Sequence, residues 1–191
     1  MVTFILGGAR SGKSHYAERL AVELGGEAVL YVATAQAFDE EMQVRIARHR
    51  AERPVGWSTL EATQLVGTAI GRFLATADTI PKVVLLDCLT VLVSNVLLAF
   101  DDPFEAAVEN AISQEVDALM QCVQTTTPHY VSHYIIVSNE VGLGLVPPYA
   151  LGRAYRDLLG RANQRLAQIA DRVVFMVAGL PMVVKGSGGG E

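Results

Sequence analysis

The sequence predicts an α/β fold: a mostly parallel central sheet flanked by helices, with an antiparallel strand at the C-terminal edge. Two observations lead there. Short apolar, β-branched runs alternate with amphipathic stretches, the pattern of parallel strands joined by right-handed helical crossovers. The runs are apolar on both faces, as central strands covered by helices must be. A third observation narrows the class. The segment "GGARSGKS" stands between the first run and the first amphipathic stretch.

Taken in order, the predicted strands are "VTFIL" (Val2–Leu6), "AVLYVA" (Ala28–Ala33), "KVVLLD" (Lys82–Asp87), "YIIVS" (Tyr134–Ser138) and "RVVFMVA" (Arg172–Ala178). Their β-branched content is the signal. The predicted helices are Gly12–Leu24, Asp39–Ala51, Ala62–Ala75, Pro103–Gln124 and Tyr149–Ala170. "LPMVVK" (Leu180–Lys185) is expected to return as an antiparallel edge strand after a turn at Gly179. The 191 residues suit one domain, residues 1–185, and the Gly-rich end "GSGGGE" (186–191) reads as a flexible tail. The sequence carries no internal repeat.

Composition bounds the function. Hydrophobic residues make up 51 % of the chain and the formal net charge is -5. An acidic surface argues against nucleic acid as the main partner, since phosphate neutralisation needs a basic one. Cys88 and Cys122 are isolated thiols, as in a reducing compartment. The chain starts on an apolar strand without the charged region and long apolar region of a signal peptide. Its longest apolar stretch, Val83–Phe100, is interrupted by Asp87, Ser94 and Asn95, so no membrane span is expected. These features together predict a cytoplasmic protein.

"GGARSGKS" fits G-x-x-x-x-G-K-[ST] over Gly7, Gly8, Ala9, Arg10, Ser11, Gly12, Lys13 and Ser14. Glycines let the backbone curl until successive N–H groups point at a phosphate. The helix that follows adds free N–H groups and the positive end of its dipole. Lys13 would reach the β- and γ-phosphates and the Ser14 hydroxyl a Mg²⁺ ion. Tyr16, Ala17, Leu20, Ala21 and Leu24 supply the helical stripe behind the loop. The fold class is therefore a single P-loop NTPase-like, RecA-like domain. Such a loop needs a carboxylate at the end of a neighbouring strand, and Asp87 stands there with a Mg²⁺ or ribose role.

Kinase, nucleotidyltransferase, ATPase motor and GTP switch all use such a loop. The switch is disfavoured, because no D-x-x-G follows a strand and no N-K-x-D reads guanine; "SNEVG" (Ser138–Gly142) lacks the Lys and the Asp. A motor usually needs a larger chain and a DNA-binding surface.

"DEEMQVRIARHRAERP" (Asp39–Pro54) admits two readings. Glu41, Arg45, Arg48, His49 and Glu52 share one side at helical spacing, which suits a solvated helix with i,i+4 ion pairs. Alternatively, the His49 imidazole attacks a phosphorus atom and forms a phosphoramidate, with Arg45, Arg48, Arg50 and Arg53 balancing phosphate charge. His15 opens the P-loop helix and His129 and His133 border a loop-to-strand stretch, without that arginine setting.

Five segments, "GGARSGKS", "YVATAQAFDEEMQVRIARHRAERPVGW", "LLDCLTVLVSN", "VSNEVGLGLVPPYALGRAYRDLLGRANQRLA" and "VVFMVAGLP", cover almost the whole chain. In them the sequence resembles the bifunctional adenosylcobinamide kinase / adenosylcobinamide-phosphate guanylyltransferase family of cobalamin assembly. The resemblance implies two reactions in one domain. A nucleoside triphosphate, ATP or GTP, phosphorylates adenosylcobinamide. GMP from GTP is then transferred to adenosylcobinamide phosphate through a guanylylated histidine, and pyrophosphate leaves. The family's motif sets that histidine at His49. Some relatives carry two adjacent histidines there, whereas this chain has Arg48 and His49. By position, Gly7 to Ser14 would hold the GTP phosphates. Thr34, Ala35 and Gln36 would line the nucleotide site, and Arg50, Ala51, Glu52 and Arg53 would border it. Glu61 and Asp87 would be the acidic partners, with Glu an alternative at the Asp87 position among relatives. The resemblance also implies Mg²⁺ and a homotrimer. A plain P-loop small-molecule kinase without GMP transfer is the competing reading, and a nucleotide-binding module without chemistry is a third.

Of the later segments, Asn139–Pro148 follows a strand end. It is either an ordinary crossover or a substrate-side loop with Asn139 and Glu140 near the site. Tyr155, Leu158, Leu159, Ala162, Leu166 and Ile169 form a core stripe, with Arg153, Arg156, Arg161 and Arg165 mostly on a solvated face. Trp57 either packs or meets an apolar ligand.

Overall fold

The apolar runs fold as strands of one seven-stranded sheet in a computed structural model that describes residues 1–36, 44, 47, 50, 51, 53–127 and 129–186. The elements are β1 (Val2–Gly7), α1 (Lys13–Gly25), β2 (Val29–Ala33), β3 (Ser58–Glu61), α2 (Val66–Thr76), β4 (Val83–Asp87), α3 (Leu89–Leu97), α4 (Ala106–Thr126), β5 (His133–Asn139), α5 (Ala150–Ile169), β6 (Arg172–Val177) and β7 (Leu180–Lys185). The strand order is β3-β2-β4-β5-β1-β6-β7. All neighbours are parallel except β6 and β7, which pair antiparallel from Val177↔Leu180. The expected edge strand is therefore present.

Side chains alternate across the sheet and divide the core in two. Ile5, Tyr31, Val83, Leu85, Ile135 and Val137 pack under Ala17 and Ala21 of α1. Phe4, Leu30, Val32, Val84, Leu86 and Ile136 face the opposite side, against α2, α3, α4 and α5. This period-two bookkeeping places the functional side chains. Asp87 continues the Val83–Leu85 row and Asn139 the Ile135–Val137 row, so both belong to the face that carries the phosphate loop's own helix.

Two elements are absent from the sequence expectation. β3 is a four-residue strand with partly exposed, polar character, so no apolar run announces it. α3 is buried on nearly every side, from Leu89 and Thr90 through Asn95 to Leu97. A helix apolar all round has no amphipathic stripe, and its sequence merges with β4. The helix expected from Ala62 starts at Val66, because Ala62 still extends the strand region by donating its N–H to Ala33 O. Of the helix expected over Asp39–Ala51, the described residues Val44, Ala47, Arg50 and Ala51 are helical, and the others lie outside the described residues.

The start of α2 depends on a distant carboxylate. Leu65 takes φ 52 and offers no side-chain cap. Buried Glu115, from α4, instead accepts the N–H of Leu65 at 2.8 Å and of Val66 at 2.6 Å. Glu115→Ala strands two donors at a buried helix end, at an expected cost of about 3 kcal/mol in unfolding free energy, read from a urea titration. Among the described residues, no helix is long and apolar enough to cross a membrane.

Candidate active site

The loop after β1 is shaped by close approaches. A Cβ on Gly7 would lie 2.5 Å from Ser11 Oγ and 2.9 Å from Met176 O, so only hydrogen fits. Gly12 caps α1 with φ 89, a conformation that suits glycine. Its missing Cβ would sit 3.3 Å from Gly179 Cα, and Gly179 donates its N–H to Ser11 O at 3.0 Å. The β6–β7 turn, with Ala178 at φ 51 and Gly179 at φ 84, thus props the loop from the edge of the sheet. Lys13 Nζ reaches back to Gly8 O at 3.0 Å. Ser14 follows Lys13 in the first turn of α1, and Ala9 and Arg10 are exposed at the loop's crest.

Asp87 ends β4, two strands from β1. Its Oδ2 accepts the Tyr31 hydroxyl at 2.7 Å. Thr34 is fully buried, and its hydroxyl brackets the next peptide: it donates to Cys88 O at 2.8 Å and accepts the Cys88 N–H at 2.9 Å. Thr34 therefore supports the Asp87 turn, while Ala35 and Gln36 follow it partly exposed at the β2 end. Burial and the neighbouring Asp87 charge push the Cys88 thiol up to about 11, and the Lys13 ammonium opposes this. Burial, then Asp87, raises the Tyr31 phenol well above its ordinary value, so it stays a donor. Ser14 hydroxyl and Asp87 carboxylate are hard oxygen donors, a set that fits Mg²⁺ sharing its coordination with phosphates and water.

Arg53 meets the same cluster. Arg53 stacks its guanidinium 3.5 Å from the Tyr31 ring centroid and donates to Thr59 Oγ1 at 3.4 Å. Its Nε is buried without a hydrogen-bond partner among the described residues. Arg50 pairs with Glu61 at 3.7 Å, both side chains 66 % exposed, a screened contact of little energetic worth. Ala51 is exposed on the same short helical stretch. His49, Glu52, Arg45 and Arg48 lie outside the described residues. Trp57 packs: its indole donates to Gly26 O at 3.0 Å and stacks on Tyr31.

Between the loop and Asp87 stands β5. Asn139 at its end pairs in register with Gly7, and Glu140 donates its N–H to Gly7 O at 3.0 Å. A buried network fixes the Asn139 backbone from the other face. Asn139 N donates to Thr90 Oγ1 at 2.6 Å, Asn163 Nδ2 donates to Asn139 O at 3.0 Å, and Ser138 Oγ donates to Asn163 Oδ1 at 2.7 Å. Asn139 Oδ1 is itself buried without a partner among the described residues. Two of the arginines of α5 tie that helix down: Arg161 pairs with Glu109 and Arg165 with Asp117, both on α4. Sequence reasoning left Tyr31 unremarked. Its signal is slight, a phenol in an otherwise aliphatic strand two residues short of the strand end.

The fold recurs in solved structures. A prototypical ATPase of the type III secretion system of pathogenic bacteria superposes with a TM-score of 0.56 at 11 % identity, over 91 % of this chain and 50 % of that one. The ATPase domain of a further solved protein gives 0.52 at 16 % identity, over 91 % and 68 %. By fold and loop the chain is a P-loop NTPase-like domain. At the level of sequence, the family described as cobinamide kinase / cobinamide phosphate guanyltransferase matches residues 3–184, and the chain belongs to it. The chain is 46 % identical to the bifunctional adenosylcobalamin biosynthesis protein CobP of Pseudomonas aeruginosa, over 97 % of this chain and 98 % of that one. It is 42 % identical to the bifunctional adenosylcobalamin biosynthesis protein CobU of Salmonella typhimurium, over 97 % and 100 %.

Proposed function

We propose that this chain carries out both reactions of its family. It phosphorylates adenosylcobinamide with ATP or GTP and then guanylylates adenosylcobinamide phosphate. The observation that supports this reading is one sheet face that carries the phosphate loop's helix α1 and Asp87, with Arg53 on the Tyr31 ring beside them. In the first reaction the acceptor hydroxyl oxygen attacks the γ-phosphorus. The bond to the β–γ bridging oxygen breaks, the nucleoside diphosphate leaves and the hydroxyl proton passes to solvent. Lys13 and the loop amides hold the phosphates and spread the developing charge.

In the second reaction a His49 ring nitrogen attacks the α-phosphorus of GTP and pyrophosphate leaves. A phosphate oxygen of the acceptor then breaks the P–N bond and takes GMP, freeing His49. Splitting the transfer avoids one direct attack between two crowded anions. Ser14 and Asp87 would hold Mg²⁺, which supplies charge neutralisation beside the phosphates. The apolar, two-face exposure of β7 supports self-association, the homotrimer named above. The reading assigns the protein to soluble chemistry in the cytoplasm. Incubation with GTP labelled at the α-phosphate tests it: an acid-labile GMP adduct is expected by intact mass. Phosphorylated acceptor without any adduct would leave the kinase alone, and neither product would refute the proposal.

A further inference from the structure

Tyr31 stands where two parts of the site meet, and the fold itself asks for only half of it. A phenylalanine would fill the same core space between α1 and Trp57. The hydroxyl is the extra piece, and a buried phenol oxygen costs free energy unless it finds a partner. It finds Asp87 Oδ2 at 2.7 Å across 56 residues of sequence. The register explains the reach: Ala33 pairs with Asp87 on the adjacent parallel strand, so Tyr31 lies on the same face two residues upstream. The ring face holds the second part. Arg53 lies 3.5 Å from its centroid, and Trp57 stacks on the same ring with centroids 6.4 Å apart.

We infer that Tyr31 is a positioning residue that couples Arg53 to the metal-side carboxylate. By engaging Oδ2, its hydroxyl fixes how the Asp87 carboxylate is presented to a divalent cation, and its ring seats Arg53. The inference rests on the reading above only in taking Asp87 as the metal-side acid. The two contacts separate by substitution. Tyr31→Phe keeps both ring contacts and deletes the O–H. Tyr31→Leu removes the ring as well, so Arg53 loses its seat.

The experiment is calorimetric titration of the full chain with GTP, once in EDTA and once across a Mg²⁺ series. Wild type is expected to bind GTP more tightly as Mg²⁺ rises. Tyr31→Phe is expected to match wild type in EDTA while needing about 10-fold more Mg²⁺ for the same gain. Tyr31→Leu is expected to weaken GTP in EDTA too. A merely structural tyrosine would shift the melting temperature and leave the Mg²⁺ requirement alone. The inference is overturned if Tyr31→Phe weakens GTP equally in both conditions, if its Mg²⁺ requirement is that of wild type, or if wild type gains nothing from Mg²⁺. The Phe variant decides the matter alone if the Leu variant does not fold. A wild type that tightens with Mg²⁺ yet transfers neither group refutes the proposed function and leaves the Tyr31 result standing.

Discussion

His49→Ala is expected to lower GMP transfer by about 10,000-fold or more, the scale on which loss of a covalent nucleophile registers. Phosphorylation of adenosylcobinamide is expected to stay near wild type, because that reaction needs no covalent protein adduct. The measurement is paired. Labelled GTP reports the adduct by intact mass, and chromatography of the corrinoid products reports each transfer separately. The sequence supplies the motive: His49 is the histidine flanked by arginines downstream of a complete phosphate loop. Equal loss of both activities in a folded variant would mean the two reactions are not divided in this way. Retention of the adduct in His49→Ala would move the nucleophile to another residue.

Lys13→Ala is expected to lower both transfers together, each by about 1,000-fold, because both develop negative charge on phosphate oxygens held by the same loop. The ammonium sits within the loop it serves, bonded to Gly8 O at 3.0 Å. A drop in one transfer alone would show that the triphosphate is held differently in the two reactions. Circular dichroism guards the comparison, since Gly7, Gly12 and the β6–β7 turn still shape the loop when the Lys13 side chain is removed.

The two predictions draw on different kinds of information. The phosphate loop was legible because its chemistry is contiguous. Gly7, Gly12, Lys13 and Ser14 act through backbone curl and a helix start that local sequence dictates. Five strands and the antiparallel return were legible for a similar reason, since short β-branched runs bounded by turn residues mark strands locally. β3 and α3 were not. A four-residue polar edge strand has too little apolar character to register, and a helix buried all round lacks the period that distinguishes helix from strand. Local pattern singled out Asp87 and Arg53 separately, yet nothing in the sequence joined them through Tyr31.

Taken alone, the amino-acid order establishes that the chain carries a loop built for a triphosphate and belongs with α/β P-loop domains. It also establishes that a histidine among arginines accompanies the loop. Those properties live in runs of neighbouring residues. The assembled fold was needed to join Tyr31 to Asp87, to lay Arg53 on the Tyr31 ring, to end the strand between loop and carboxylate at Asn139, and to brace Gly12 with Gly179. Each of these depends on strand order and on which face a side chain takes after the sheet has assembled. Strand order is a global choice, made by how the helices cover the two faces, and no local window of sequence contains it.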